Sequence, residues 1–143
     1  MRRASSILMR IGGILSIVFA SLFLVSSFAF LIWALPAFHD AIVKAINEGA
    51  IHSSYQGSPD QVASLIQGLF VSIGISFIVM AAFNVANSVF ALRGRKLPSR
   101  KISILNIVFG ILSGVEVNAV GGIFGLIAEG IEERNDEFAD IEK

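Results

Sequence analysis

The chain has 143 residues, of which 55% are hydrophobic and 15% are charged, and it has no net charge and no cysteine. A soluble domain usually carries about 25% charged residues, and a water-soluble monomer of this size could not bury so much apolar side chain. The composition therefore excludes a soluble monomer, disulfide bonds and cysteine-based metal sites, and it indicates an all-α integral membrane protein.

The first apolar segment predicts a long membrane span over residues 6–35. Its apolar run from Ile11 to Leu35 exceeds the roughly 18 residues that mark a span. A cleaved signal peptide is the alternative, because "MRR" opens the chain before the run, but the apolar core of a signal peptide has only about 7 to 15 residues. We therefore expect a retained helix that ends near Trp33 and Pro36.

Residues 37–49 predict a short amphipathic helix outside the membrane. Phe38, Ile42 and Ile46 recur every four residues with polar side chains between them, and Gly49 follows as a helix-ending residue. After a loop, "SPDQ" (58–61) has the pattern of a capping box with proline at the first helical position. This start signal opens a second long span over residues 59–92.

Charge segregation predicts the orientation of the spans. Residues 93–101, "RGRKLPSRK", contain five cations, and the N-terminus is also basic. Cytoplasmic loops of membrane proteins are enriched in Lys and Arg, so both segments are expected in the cytoplasm with two crossings between them. The acidic tail, residues 132–143, is expected to extend the last helix into solvent; the alternatives are that it folds back on the basic segments or docks a partner.

The stretch "SGVEVN" (113–118) decides the number of spans. One helix over 102–128 would leave Glu116 near the bilayer centre, where an acid costs roughly 2.5–3.5 kcal/mol, and would place the tail outside. Two short spans, 100–112 and 119–131, instead put Glu116 and Asn118 in an outer turn, with Asn118 capping the last helix. We favour the second interpretation, which gives four transmembrane helices, two long and two short, with both termini cytoplasmic.

The segment "ILNIVFGILSGVEVNAVGGIFGLIAEG" (104–130) resembles the C-terminal half of small four-span membrane proteins of unknown function from Gram-positive bacteria. These have a basic linker, a "G-I-L-S-G-N"-like turn and a glycine-rich last helix, and "IGGILSIV" (11–18) adds to the resemblance. The resemblance implies a bacterial tetraspan, supplies no activity, and does not extend to Glu116 or the acidic tail.

Small residues at helical spacing predict close helix packing, because Gly, Ser and Ala let membrane helices approach each other. The stripes either pack the protein's own bundle or contact a partner helix. Their members are Gly12, Ser16 and Ala20 in the first span, Ser64, Gly68, Ser72 and Ser76 in the second, and Gly110, Gly114, Gly121 and Gly125 in the short spans.

Five polar residues within the spans are predicted to form one layer in the cytoplasmic half of the membrane: Arg10, Asn84, Asn87, Asn106 and Glu129. The arginine and the glutamate are expected to pair, and the asparagines to hydrogen-bond across helices. The layer either fixes helix register or conducts ions or protons. A relay requires a titratable group deep in the membrane, which the four-span interpretation does not provide.

The candidates for metal or acid–base chemistry are His39, Asp40 and His52. They form a weak set, because His39 and Asp40 are adjacent on a helix and point in different directions, while His52 lies in a loop. The sequence has no nucleotide-binding loop, nucleophile elbow or H-E-x-x-H motif. We therefore expect no enzyme activity, no metal, no cofactor and no nucleic-acid partner.

These features predict a structural or interaction subunit that packs with itself or with a larger membrane complex in the cell membrane. A transporter or channel component is one alternative, although charged or broken helices near the midplane would be expected of it. An immunity-type protein against a membrane-active toxin is the other, by analogy alone.

Overall fold

The computed structural model describes residues 2–52, 55, 57–96 and 99–141, with side chains for all of these except 95, 96 and 135–141. Its helices are α1 (Arg2–Trp33), α2 (His39–Asn47), α3 (Pro59–Lys96), α4 (Arg100–Leu112) and α5 (Glu116–Ile141), and a 3-10 turn (Pro36–Phe38) precedes α2. The described residues contain no strand, which confirms the all-α class.

Local chemistry explains where the helices begin and end. Leu35 is extended immediately before Pro36, and Gly49 has a positive φ of 73° after the last turn of α2. The predicted capping box at the start of α3 is confirmed: the Ser58 backbone N–H donates to Gln61 Oε1 at 3.1 Å, and the Gln61 backbone N–H donates to Ser58 Oγ at 3.3 Å.

A break between α4 and α5 occupies residues 113–115. Gly114 has a φ of 72°, a left-handed conformation that an L residue with a side chain adopts only at a cost. The Val115 backbone N–H donates to Gly110 O at 2.9 Å, which satisfies a free carbonyl at the end of α4. The polar stretch therefore turns the chain, and α5 begins at Glu116, three residues before the predicted start of the last span.

Helix α1 and residues 59–94 of α3 are long and apolar enough to cross a membrane. Only 17% of the most apolar 18-residue window of each is buried, whereas the core helix of a soluble protein would be mostly covered. Helix α4, with 13 residues, reaches only roughly 20 Å, less than a hydrocarbon core of about 30 Å.

The chain forms two compact units, and α1 and α3 contribute residues to both. One unit comprises Leu22–Val79, and the other comprises Met1–Ser21 with Met80–Lys143. We call them the hairpin unit and the bundle unit.

Aromatic rings pack the hairpin unit. Phe30 of α1 contacts Phe70 and Phe77 of α3 with ring centroids 5.8 and 5.6 Å apart, and Phe23 lies 5.6 Å from Phe77. Between these rings the two backbones approach closely at Gly74, because Ser27 Oγ donates to Gly74 O at 2.9 Å. This contact fixes the face of α3 that meets α1.

Small residues pack the bundle unit. A Cβ built at Gly110 would lie 2.6 Å from the Ala119 nitrogen, and one at Gly122 would lie 2.5 Å from Ser103 O, so α4 and α5 approach each other at backbone distance. Ser5 Oγ of α1 donates to the carbonyl of Gly121 at 2.8 Å. The helices of this unit are therefore held by short contacts between small side chains and backbone.

The distribution of side chains is the reverse of that in a soluble protein. Serine, asparagine, glycine and alanine dominate the buried positions, whereas large apolar residues such as Val25, Phe28 and Leu69 are 69%, 65% and 61% exposed. Apolar surface of this extent requires a covering of lipid or of another protein.

Candidate functional site

Four asparagines form the polar interior of the bundle unit. Asn84 and Asn87 of α3, Asn106 of α4 and Asn118 of α5 are each 0% exposed. Asparagine is mostly a surface residue, and a buried amide is tolerated only where hydrogen bonds replace those to water. We call these residues the asparagine layer.

Two serine hydroxyls join the layer across helices. Ser16 Oγ of α1 accepts from Asn87 Nδ2 at 3.1 Å and from Asn118 Nδ2 at 3.2 Å, so one hydroxyl connects α1, α3 and α5. Ser113, directly after α4, accepts from Asn87 Nδ2 at its hydroxyl and from Asn84 Nδ2 at its carbonyl, at 2.7 and 3.4 Å. Asn106 Nδ2 donates to the Phe90 carbonyl at 3.3 Å.

The four side-chain oxygens of the layer have no hydrogen-bond partner within the described residues. The reason is a shortage of donors: Ser16 Oγ donates to Gly12 O at 2.8 Å, and Ser113 Oγ lies 3.3 Å from Gly110 O, so both hydroxyls serve the amides as acceptors. A buried acceptor left unpaired costs about 1–3 kcal/mol unless ordered water donates to it. Asparagine and serine do not titrate near neutral pH, so the chemistry of the layer is hydrogen bonding.

Arg10 and Glu129 lie outside this layer, contrary to the predicted ion pair. Met9 faces inward and is 1% exposed, so Arg10, about 100° further around the helix, is exposed. Glu129 is half-buried and forms no ion pair among the described residues. The corresponding ion pair between α1 and α5 is Arg2–Glu132.

Asn118 corrects the prediction of an outer turn. Because α5 begins at Glu116, Asn118 is its third residue and points into the bundle rather than capping the helix. Glu116 is exposed in the first turn of α5, where its charge complements the helix dipole. Asn118 was therefore misplaced, because an asparagine near a helix start can either cap the helix or point into the bundle.

The predicted packing residues divide into three groups. Gly12, Ser16, Ala20, Gly110, Gly121 and Gly125 are buried; Gly114 is the exposed turn residue; and Ser64, Gly68, Ser72 and Ser76 are all exposed. Within the hairpin unit, the glycine of α3 that packs against α1 is Gly74, which was not among the predicted packing residues. It lies two residues from Ser72 and Ser76, which places it on the opposite face of the helix.

His39 has a structural environment in the hairpin unit. His39 Nδ1 donates to Gln67 Oε1 at 2.9 Å, its Nε2 lies 3.6 Å from an oxygen of Asp60, and Gln67 Nε2 donates to Leu35 O at 3.0 Å. The hydrogen bond with Gln67, followed by the nearby carboxylates, raises the pKa of His39. The contact joins the start of α2 to α3, and the part of the chain that the structure describes contains no group of three or more His, Asp or Glu that could hold a metal ion.

No family model matches the chain, and neither the curated proteins nor the solved structures include a match. The residues and their geometry are therefore the basis for a functional assignment.

Proposed function

We propose that the chain is a four-span membrane protein with both termini in the cytoplasm, and that it is a structural or interaction subunit that packs with further copies of itself or with a larger membrane complex. Its spans are α1, α3, α4 and the first half of α5. Two of these helices are long and apolar enough to cross a membrane, and the large apolar side chains of the chain point outward.

The charge distribution supports this topology. Arg93, Arg100 and Lys101 flank the α3–α4 connection, Arg2 and Arg3 open α1, and the loops predicted to be external have no comparable cluster. The short helix α4 is partly covered by protein, because its buried face packs on α5 and its Asn106 hydrogen-bonds to α3. The side chains of residues 135–143, most of the acidic tail, lie outside the described residues.

The interaction role rests on one observation: the small-residue stripe of α3, Ser64 to Ser76, lies on an exposed face. Nothing lies within 4 Å of the position that a Cβ of Gly68 would take. The hydroxyls of Ser72 and Ser76 donate to carbonyls of their own helix, at 2.9 and 2.8 Å, so they require no water. A groove of this kind, flanked by Leu65 and Leu69, admits a second helix at close range.

The substitution Gly68→Leu tests the interaction role. Leucine fits the open space within the chain and is a better helix former than glycine, so thermal unfolding is expected at the same or a slightly higher temperature. Association is expected to weaken, because the partner backbone can no longer approach. Ser21→Leu, which also introduces an exposed leucine but on α1, is the control. The measurement is the mass of the purified complex in mild detergent, with identification of co-purifying proteins by mass spectrometry. An identical complex for Gly68→Leu and wild type would refute the proposal.

Single cysteines test the topology, because the chain has none of its own. With four spans, Glu116→Cys reacts with a membrane-impermeant maleimide applied from outside intact cells. Glu133→Cys, on the exposed part of α5, reacts only after permeabilisation. Labelling of position 133 from outside would instead establish three spans.

A further inference from the structure

A cavity of about 450 Å³ in the bundle unit combines charged and apolar walls. Its described lining comes from the first turns of α1, from Gly94 of α3 and from residues 125–132 of α5. Among the described residues of the lining, four are charged: Arg2, Arg3, Glu129 and Glu132. None of the asparagine layer lines it, so it is a separate feature of the unit.

The charges on the described residues of the lining are balanced but only partly paired. Arg2 forms an ion pair with Glu132. Arg3 is exposed and Glu129 half-buried, and within the described residues neither has an ion-pair partner. The described part of the lining therefore offers a guanidinium and a carboxylate without ion-pair partners, Arg3 and Glu129, which suits a ligand that carries both a negative and a positive group.

Apolar side chains continue outward from the cavity. Ile7 is part of its lining and is 59% exposed, and Ile11 and Ile14 follow on the same face of α1 with exposures of 47% and 51%. A ligand whose polar end occupies the cavity can lay an acyl chain along this strip. The arrangement thus favours an amphiphile over a free phosphate compound.

We infer that this cavity binds the headgroup of a phospholipid with a primary ammonium, as in phosphatidylethanolamine, with the phosphate on Arg3 and the ammonium on Glu129. The inference rests on the proposed membrane embedding, which places this end of the bundle at the cytoplasmic interface. A choline headgroup fits less well, because the described residues of the lining include no aromatic ring to hold a quaternary ammonium. An anionic glycerol headgroup would leave the Glu129 carboxylate facing a negative ligand.

Native mass spectrometry of the full chain tests the inference, with phosphatidylethanolamine, phosphatidylcholine and phosphatidylglycerol of identical acyl chains added in turn. We expect phosphatidylethanolamine to be retained about tenfold more than the other two, since the charge-assisted contact with Glu129 is specific to it. Equal retention of all three lipids, or preference for phosphatidylglycerol, would overturn the inference. The inference would also be overturned if soluble glycerophosphoethanolamine protected the chain against thermal unfolding as well as phosphatidylethanolamine does, because the ligand would then not be a lipid.

Two variants and two controls assign the contacts. Arg3→Gln is expected to lower retention of phosphatidylethanolamine and phosphatidylglycerol alike. Glu129→Gln is expected to lower retention of phosphatidylethanolamine about tenfold and to raise that of phosphatidylglycerol, a reversal that a merely structural glutamate would not produce. Arg93→Gln and Glu133→Gln change exposed charges outside this cavity and should leave the preference unchanged; if they alter it equally, the site is not here.

A carbonate wash of the membranes from which the chain is purified separates this inference from the proposed function. A chain that stays in carbonate-washed membranes and keeps its complex, but shows no headgroup preference, refutes the lipid site alone. A chain released by the carbonate wash refutes the membrane assignment itself.

Discussion

Replacing Gly12 with alanine probes the contact on which the asparagine layer depends. A Cβ at this position would lie 2.5 Å from Cγ of Asn118 and would overlap its side-chain oxygen. Either the amide moves, and its hydrogen bond to Ser16 is lost, or α1 and α5 move apart. Gly12→Ala is therefore expected to destabilise the bundle unit although alanine is the better helix former.

The magnitude follows from three contributions. Overpacking of an interior costs about 1–3 kcal/mol, and loss of an interhelical hydrogen bond in a membrane protein costs about 0.6 kcal/mol. The higher helix propensity of alanine returns about 0.5–1 kcal/mol. The net expectation is a destabilisation of about 1–3 kcal/mol. Gly68→Ala is the matched control, because its Cβ meets no atom, and it is expected to stabilise by about 0.5–1 kcal/mol.

The assay is reversible unfolding in mixed micelles of mild detergent and dodecyl sulfate, followed by the helical circular dichroism signal. A double-mutant cycle with Asn118→Ala adds a second readout, since truncation of Asn118 makes room for the new methyl group. The double variant should be no less stable than Asn118→Ala alone, which corresponds to a coupling of about 1–3 kcal/mol. If Gly12→Ala is as stable as Gly68→Ala, the close approach of α1 and α5 does not exist.

Three further outcomes are expected. Asn87→Ala removes hydrogen bonds to α1 and to the turn after α4, and it should lower the free energy of unfolding by about 1–2 kcal/mol; a change below about 0.3 kcal/mol would contradict a register-fixing role. Gly114→Ala should lower the free energy of unfolding by about 1–2 kcal/mol because of the positive φ alone, and Gly114→Asn should lower it less. Equal stability of the wild type and both variants would contradict the left-handed turn. The pKa of His39 is raised, chiefly by Gln67, so its stabilising contribution is fully present below about pH 6.5 and is lost as the pH rises through the raised pKa. Gln67→Ala should lower the titration midpoint of the His39 ring by nuclear magnetic resonance, and an unchanged midpoint would reject this cause.

Local sequence signals predicted the ends of several helices, because each end is made by a few neighbouring residues. The capping box of Ser58 and Gln61 is a contact between residues three apart and needs no distant partner. Gly49 and Gly114 supply the positive φ that ends α2 and α4. The composition likewise predicted the all-α class, since membrane-length apolar runs satisfy their backbone hydrogen bonds as helices.

The asparagines show how far the candidate site could be predicted. Asn84, Asn87 and Asn106 were expected to bond across helices, and each now has an Nδ2 contact to another helix or to the turn after α4. Arg10 was expected beside them and is exposed instead. A long arginine can reach water or headgroups from an outward position, whereas a short amide must find its partners inside the bundle.

By itself, the sequence determined that this chain is helical and apolar, where its helices break, and which residues are small enough for close packing. Only the tertiary structure decided that Gly74 meets α1 while Gly68 stays open, and that Asn118 joins Ser16 inside the bundle unit. The physical reason is that a helix apolar on every side has no hydrophobic periodicity to mark its inner face. Its orientation is set by van der Waals fit and by hydrogen bonds with other helices, and these exist only once the helices have met.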